Sequence, residues 1–219
     1  MRFKCLILDH DDTAVHSTAD IHYPAHIKTM EKLRPGVEVI SLEGWFLKNF
    51  HPGIMEYMTD ELKFTNFEIE EEYSIWQDFV ATRHPEFYPG FIDLVREFKN
   101  RGGRVAIVSH STKEVIQRDY DSVGAGDIPE LIFGWHNNEN LRKPAPYPIE
   151  EILKNFNLKP EEALIIDDLK PAVIMSRNTG VPVAGAGWGH RIPEIIDYME
   201  KNCHFYLKEL DDLRALIFP

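Results

Sequence analysis

The chain has 219 residues, of which 43% are hydrophobic, and its 36 acidic and 24 basic side chains give a formal net charge of −12. This composition is typical of a globular protein rather than a disordered one, and the acidic balance argues against binding to nucleic acid or anionic membranes. The two cysteines, Cys5 and Cys203, form neither a disulfide framework nor a zinc-ligand spacing. We expect a soluble cytoplasmic protein, made of one large domain or of a domain with a sizeable insertion.

The predicted elements begin with an apolar strand at residues 3–9, FKCLILD, which ends in Asp9. From about residue 91 onwards, short strand-like runs alternate with helical patterns. The further predicted strands are 104–109, 131–135, 163–168 and 181–186, and the predicted helices are near 91–101, 112–122, 148–156, 171–179 and 192–201. Continuous apolar strands separated by helices indicate a parallel sheet that is buried on both faces.

Residues 16–87 have a different pattern, which is helical and aromatic and lacks strand alternation. Ser41 and Asn66 each precede an amphipathic stretch and are expected to be helix N-caps. The aromatic residues expected to form the core of this segment are Trp45, Phe46, Phe50, Tyr57 and Trp76. We therefore predict an α/β fold, in which residues 1–15 and 88–219 form a Rossmann-like doubly wound parallel sheet and residues 16–87 form an inserted α-helical domain.

Two aspartates follow the first predicted strand. Ligands of such sheets bind beyond the carboxyl ends of the strands, and Asp9 and Asp11 would point to the same side if the backbone stays extended. A pair of turn or N-cap aspartates is the structural alternative. An EF-hand calcium loop starting at Asp9 is excluded, because it needs glycine and glutamate where the chain has Ala14 and Asp20.

A serine, Ser109, ends the predicted strand 104–109. A serine at this position commonly caps the helix that follows. Here Ser111 and Glu114 have the S-x-x-E spacing of a capping box and are expected to perform that task. The hydroxyl of Ser109 is then available for another function.

A second acidic pair, Asp167 and Asp168, ends the predicted strand 163–168, with an N-cap role for either as the alternative. Lys143 lies in LRKPAPYP, where the prolines restrict the backbone, so its cation is well placed to reach a fixed anion, although a solvated loop lysine is the alternative. Four converging carboxylates require a hard divalent cation, and all-oxygen ligation suits magnesium or calcium. We expect Mg²⁺, shared with a substrate phosphate.

These motifs, taken together and in this order, resemble those of the haloacid dehalogenase superfamily. DHDDT at 9–13 resembles its D-x-D-G-T motif, 87–111 resembles the proline-glycine helix that leads to the serine motif, and 143–168 resembles the lysine and acidic motifs. Residues 16–87 resemble the helical cap of the subgroup that contains phosphoglycolate phosphatase and beta-phosphoglucomutase. The resemblance implies a Mg²⁺-dependent phosphatase for a small phosphorylated metabolite, with no nucleic-acid or membrane partner.

The resemblance also implies a role for each residue of the motifs. Asp9 would be the nucleophile that forms an aspartyl-phosphate, and Asp11 would act first as general acid and then as general base. The implied metal ligands are Asp9, the main-chain carbonyl of Asp11, Asp167 and Asp168. The implied phosphoryl-binding groups are Ser109, the His110 amide and Lys143, where charge stabilisation supplies much of the catalysis.

Two residues depart from the pattern of the family. Asp12 occupies the usual glycine position, and aspartate tolerates the left-handed backbone conformation better than most residues. Leu169 replaces the polar residue that often follows the acidic pair, which removes one expected support of the metal.

Two alternatives stay open from the sequence. A sugar-phosphate mutase of the same family would need the cap to hold and reorient its substrate, and His22 is a candidate acid/base for that purpose, although a surface histidine is the simpler interpretation. A phospho-accepting receiver module, which is not an enzyme, also contains clustered aspartates and a lysine-proline pair. The position of the acidic pair after Lys143 and the insertion at 16–87 argue against it.

Overall fold

The computed structural model describes all 219 residues, Met1–Pro219. Contacts between Cα atoms divide the chain into two compact units. The first unit comprises Met1–Val15 and Phe87–Pro219, and the second comprises His16–Glu86. In sequence, the second unit is therefore inserted near the beginning of the first.

The strands place a parallel sheet at the centre of the first unit. In chain order they are β1 (Cys5–Leu8), β2 (Val15–His16), β3 (Glu86–Phe87), β4 (Arg104–Val108), β5 (Leu131–Phe133), β6 (Ala163–Asp167), β7 (Val183–Ala186) and β8 (Phe205–Leu207). β2 and β3 form a separate two-stranded sheet, and the others form a six-stranded parallel sheet in the order β5-β4-β1-β6-β7-β8. Leu8 pairs with Ile107 of β4 and with Ile166 of β6, so the residues after these strands meet at one edge.

Ten helices accompany the strands. They are α1 (Tyr23–Leu33), α2 (Leu42–Phe50), α3 (Ile54–Glu56), α4 (Asn66–Thr82), α5 (Phe91–Asn100), α6 (Lys113–Ser122), α7 (Tyr147–Phe156), α8 (Lys170–Thr179), α9 (Pro193–Asn202) and α10 (Leu210–Ile217). Two π-helical turns, Thr18–His22 and Tyr57–Glu61, adjoin helices of the second unit. None of these helices combines the length and the apolar character that a membrane crossing needs.

The central strands are buried on both faces. Successive side chains of a strand point to opposite faces, and the side chains of β1 follow this rule. Leu6 and Leu8 pack in one cluster with residues of α5, α6 and α10. Cys5 and Ile7 pack in the other cluster, with residues of α7 and α8. The predicted α/β fold with a doubly wound parallel sheet is therefore confirmed.

The second unit has its own aromatic core. Met30, Trp45, Tyr57, Met58 and Phe64 form a buried cluster. Of the aromatic residues predicted to lie in this core, Trp45, Phe46, Phe50 and Tyr57 are buried, and Trp76 is half-buried.

The helix caps correct one sequence prediction in this unit. Ser41 caps α2 as predicted, since its Oγ accepts a hydrogen bond from the Gly44 N–H. The N-cap of α4 is Thr65 rather than Asn66, because Thr65 and Glu68 form a reciprocal capping box. Asn66 is the first residue of the helix.

The sequence prediction also missed elements near the C-terminus. It did not identify β8 and α10, which add the last strand at one edge of the sheet and a helix on one of its faces. The strand predicted at 181–186 begins at Val183, and the strand predicted at 131–135 ends at Phe133.

Candidate active site

The candidate site lies at the edge where β1, β4 and β6 end. Asp9 directly follows β1, and its N–H donates a hydrogen bond to the carbonyl of Ile166 over 2.9 Å. Ser109 follows β4 and donates from its N–H to the carbonyl of Phe133 over 3.0 Å. Asp167 is the last residue of β6. Regular parallel pairing therefore brings three separate motifs to the same level.

Three buried carboxylates meet at this edge. Asp9, Asp167 and Asp168 each have a carboxylate oxygen within 4.8 Å of the others, an arrangement that can hold a metal ion. Lys143 is also buried, and its Nζ lies 2.8 Å from Oδ1 of Asp9 and 2.6 Å from Oδ2 of Asp167. One ammonium group thus contacts two of the three carboxylates.

The donor set fits a hard divalent cation. All the candidate ligand atoms are oxygens, which suits magnesium or calcium. Oδ2 of Asp168 is buried without a hydrogen-bond partner, and Nε2 of His190 lies 3.7 Å from it. A buried carboxylate oxygen without a partner is costly, and a metal ion at this point would remove that cost.

Burial dominates the acidity of these groups. Removal from water raises the pKa of Asp9 to about 7, with neighbouring Lys143 acting in the opposite direction. Burial likewise raises the pKa of Asp168 well above its ordinary value, and the neighbouring Asp167 and Asp9 raise it further. Burial alone would lower the pKa of Lys143, but Asp167 and Asp9 outweigh it and raise that pKa, so the ammonium stays charged. A bound cation would lower the carboxylate pKa values.

Asp11 lies beside two serine hydroxyls rather than in the carboxylate cluster. Its Oδ2 accepts hydrogen bonds from Ser109 Oγ at 3.1 Å and from Ser111 Oγ at 2.8 Å. The predicted capping role of Ser111 and Glu114 is wrong. Helix α6 is capped instead by Thr112, whose side chain accepts from the N–H of Val115.

His110 connects the serine motif to the lysine motif. Its Nε2 lies 2.9 Å from the main-chain carbonyl of Lys143. A carbonyl only accepts hydrogen bonds, so this ring nitrogen must carry the proton. The contact fixes the main chain from which the buried Lys143 side chain extends.

The GAGWGH segment, 185–190, forms one wall of the site, a role that the sequence analysis did not predict. Trp188 donates from Nε1 to the carbonyl of Thr13 over 2.9 Å. At Gly189, an added Cβ would lie 2.1 Å from the carbonyl oxygen of Asp12, so only glycine allows this close approach. His190 follows and lies beside Asp168.

The structure describes the main chain at the two positions that depart from the family pattern. Asp12 has a φ of 55°, the left-handed conformation for which glycine is usual. Leu169 supports the acidic pair through its main chain, since its N–H donates to Oδ1 of Asp167 over 2.9 Å. Any residue except proline could donate this main-chain hydrogen bond, so it does not depend on the side chain at position 169.

His22 lies in the second unit, in the π-helical turn before α1. Its Nδ1 accepts a hydrogen bond from Trp76 Nε1 at 2.9 Å, and the two rings are stacked with an interplanar angle of 14°. This nitrogen is therefore already engaged within that unit.

Comparison with known proteins identifies the family. Residues 6–186 match the family described as haloacid dehalogenase-like hydrolase. Pyrophosphatase PpaX of Bacillus cereus (strain G9842) is 25% identical over 230 residues, covering 99% of this chain and 97% of the relative.

Solved structures show the same fold. A predicted phosphoglycolate phosphatase from Haemophilus somnus 129PT superposes with a TM-score of 0.78 at 16% identity, covering 99% of this chain and 98% of that one. CbbY from Rhodobacter sphaeroides, in complex with xylulose-1,5-bisphosphate, gives a TM-score of 0.70 at 16% identity, with 94% of each chain covered. Because the family match extends from Leu6 to Ala186, the chain belongs to the haloacid dehalogenase-like hydrolases.

Proposed function

We propose that this protein is a Mg²⁺-dependent phosphatase that hydrolyses a small phosphorylated metabolite through an aspartyl-phosphate intermediate. The observation that carries the proposal is the 2.8 Å contact of Lys143 Nζ with Oδ1 of Asp9, next to the buried carboxylates of Asp167 and Asp168. In this proposal Met1–Val15 and Phe87–Pro219 form the catalytic core, and His16–Glu86 forms the cap.

The first half of the reaction transfers the phosphoryl group to Asp9. A carboxylate oxygen of Asp9 forms a bond to phosphorus while the bond from phosphorus to the leaving oxygen breaks. The electron pair of the broken bond goes to the leaving oxygen, which takes a proton from Asp11 and departs as an alcohol. Lys143, the hydroxyl of Ser109 and the main-chain N–H of His110 stabilise the charge on the phosphoryl oxygens.

The second half regenerates Asp9. A water molecule attacks phosphorus while Asp11, now a carboxylate, accepts a proton from it. The bond between phosphorus and Asp9 breaks, its electron pair returns to the carboxylate, and inorganic phosphate is released. One carboxyl group serves as acid and then as base, which microscopic reversibility allows.

The metal ligands in this proposal are Asp9, Asp167 and Asp168 through their carboxylates and Asp11 through its main-chain carbonyl. When bound, Mg²⁺ supplies positive charge to the phosphoryl oxygens and to the nucleophilic carboxylate. The buried Asp168 oxygen without a partner is the observation that favours a metal at this point.

Pyrophosphate is a second candidate substrate. The observation in its favour is the full-length similarity to a relative named pyrophosphatase. Its leaving group is phosphate, which departs more easily than an alkoxide, so its hydrolysis depends less on a proton from Asp11.

A panel of substrates tests the proposal. Purified protein with Mg²⁺ is incubated with p-nitrophenyl phosphate, phosphoglycolate, sugar phosphates and pyrophosphate, and released phosphate is measured. We expect phosphate release that EDTA abolishes and that Asp9→Asn lacks. Conversion of one sugar phosphate into another without phosphate release would favour the mutase instead, and no release from any compound would overturn the proposal.

A further inference from the structure

The hydroxyl of Ser111 has no role in the proposed transfer and hydrolysis of the phosphoryl group. Its Oγ donates to Oδ2 of Asp11 over 2.8 Å, and the residue is only 3% exposed. Because Thr112 caps α6, the Ser111 side chain has no capping role. Its position beside Asp11 therefore needs another explanation.

The main chain of Ser111 is held on two sides. Its carbonyl accepts a hydrogen bond from the N–H of Trp135 at 2.9 Å, and its own N–H donates to Ser109 Oγ at 3.2 Å. At Gly134, an added Cβ would lie 2.6 Å from the Ser111 carbonyl oxygen, so the segment that follows β5 packs directly against this residue. These contacts hold the main chain from which the Ser111 hydroxyl reaches Asp11.

Ser109 and Ser111 donate to the same oxygen, but they differ in what the reaction requires of them. Ser109 has one hydroxyl proton, and in the proposed reaction it contacts a phosphoryl oxygen. While it does so, it cannot also donate to Asp11. Ser111 is then the hydroxyl that donates to Oδ2 of Asp11 throughout the reaction.

We propose that Ser111 is a positioning residue for the general acid. It holds Oδ2 of Asp11 as an acceptor, so that the proton for the leaving oxygen is carried on Oδ1. This inference rests on the proposed phosphatase function and adds a residue to it. In the first half of the reaction, the Oδ1–H bond breaks as the leaving oxygen gains the proton, and Asp11 is left as a carboxylate whose Oδ2 still accepts from Ser111.

The inference makes the effect of Ser111→Ala depend on the leaving group. An alkoxide needs a proton in order to leave, whereas p-nitrophenolate does not, so only the alkyl ester depends strongly on a correctly oriented acid. The constant kcat/KM reports the steps up to the formation of the aspartyl-phosphate on Asp9. It does not include the later hydrolysis of that intermediate, which is the same step for every substrate. We expect kcat/KM to fall about 30-fold or more for an alkyl phosphate and less than about threefold for p-nitrophenyl phosphate.

The experiment compares kcat/KM for these two esters in wild type, Ser111→Ala, Ser111→Thr and Ser176→Ala. Ser111→Thr keeps the hydroxyl and should restore the wild-type ratio. Ser176 is a matched control, because it is a buried serine of α8 whose Oγ donates to the carbonyl of Val181, and its replacement should leave the ratio unchanged. If Ser111→Ala does not fold, Ser111→Cys keeps the size with a weaker donor and should show the same selective loss.

An equal loss on both esters would overturn the inference, because it would indicate a structural role for Ser111. So would a wild-type ratio in the Ala and Cys variants. A wild-type protein that releases phosphate from neither ester points instead to failure of the proposed function, so the two failures are distinguishable.

Discussion

Lys143 donates a hydrogen bond from Nζ to Oδ1 of Asp9 over 2.8 Å, although 134 positions separate the two residues in sequence. Both side chains are buried, and the same ammonium group reaches Asp167 at 2.6 Å. With Asp9, Asp167 and Asp168 all ionised, one ammonium would leave a formal charge of −2, and a bound divalent cation would balance that charge and lower the raised pKa values of Asp9 and Asp168. The formal charge of the site and its all-oxygen ligand set therefore both favour a hard divalent cation.

Replacement of the nucleophile by its amide should abolish turnover. Asp9→Asn retains the size of the side chain but cannot form the aspartyl-phosphate, so we expect phosphatase activity to fall by about a thousandfold or more. Phosphate release measures the loss, and a thermal melt verifies the fold. Asp197→Asn, an exposed aspartate paired with Lys201, is the matched control and should keep full activity. Retention of more than a few per cent of turnover by Asp9→Asn would refute the nucleophile assignment.

Removal of the buried ammonium should affect both stability and activity. In Lys143→Met, Asp9 and Asp167 lose their cationic partner, and loss of one partner of a buried ion pair costs about 3–5 kcal/mol. We expect the free energy of unfolding without metal to fall by about this amount, and kcat/KM to fall about a hundredfold. Denaturant titration and steady-state kinetics measure the two effects.

The loss of stability should be smaller in Mg²⁺, because the cation supplies part of the missing charge. Lys143→Arg keeps a positive charge and should recover part of the stability. If Lys143→Met unfolds at the same denaturant concentration as wild type without metal, the buried ion pair does not stabilise the fold.

The strand ends were predictable from sequence because a buried parallel strand is a continuous apolar run that stops at its first polar residue. This pattern identified Asp9, Ser109 and Asp167, and the parallel register brings them to one level.

Ser111 was assigned to a capping box because its spacing to Glu114 is a pattern within a few residues of the sequence. Its bond to Asp11 joins residues 100 positions apart, which no local pattern reveals.

Other features also depend on tertiary packing. β8 has only three residues, Phe205–Leu207, and lies at the edge of the sheet, so its apolar signal is too short for a period to be recognised. Gly189 is needed because of its close approach to the Asp12 carbonyl, a contact between distant segments. One feature of the sequence could have indicated the position of Ser111. Ser109 and Ser111 are two positions apart, so their side chains can face the same side if the backbone is extended.

Mg²⁺ should stabilise the protein through the carboxylate cluster. A ligand at a hundredfold excess over its dissociation constant raises the free energy of unfolding by about 2.7 kcal/mol. We expect a rise of this order on addition of Mg²⁺ to EDTA-treated protein, followed by thermal or denaturant unfolding. Asp168→Asn replaces the carboxylate whose Oδ2 has no hydrogen-bond partner and should remove most of the rise.

Asp197→Asn is again the matched control, because it removes an exposed carboxylate and should leave the Mg²⁺ effect intact. A stabilisation of equal size in Asp168→Asn and in wild type would place the metal elsewhere. Isothermal calorimetry gives an independent readout, since the Asn variant should also bind Mg²⁺ more weakly.

The second unit should lose stability in mild acid because of His26. This residue is 1% exposed, its ring stacks on Trp45 with centroids 4.1 Å apart, and neither ring nitrogen has a hydrogen-bond partner. Burial lowers the pKa of His26 from 6.5 to about 4. Between these values the unfolded chain binds a proton that the folded chain does not, so stability falls as the pH is lowered through this range.

Denaturant unfolding at about pH 7.5 and about pH 5 measures this effect, and the His26 contribution to the difference should be about 2 kcal/mol. His26→Phe keeps an aromatic ring against Trp45 but cannot be protonated, so its stability should change less between the two pH values. His51→Gln, at an exposed histidine of the same unit, should retain the wild-type pH dependence. An unchanged pH dependence in His26→Phe would show that His26 is not the group whose protonation weakens the fold.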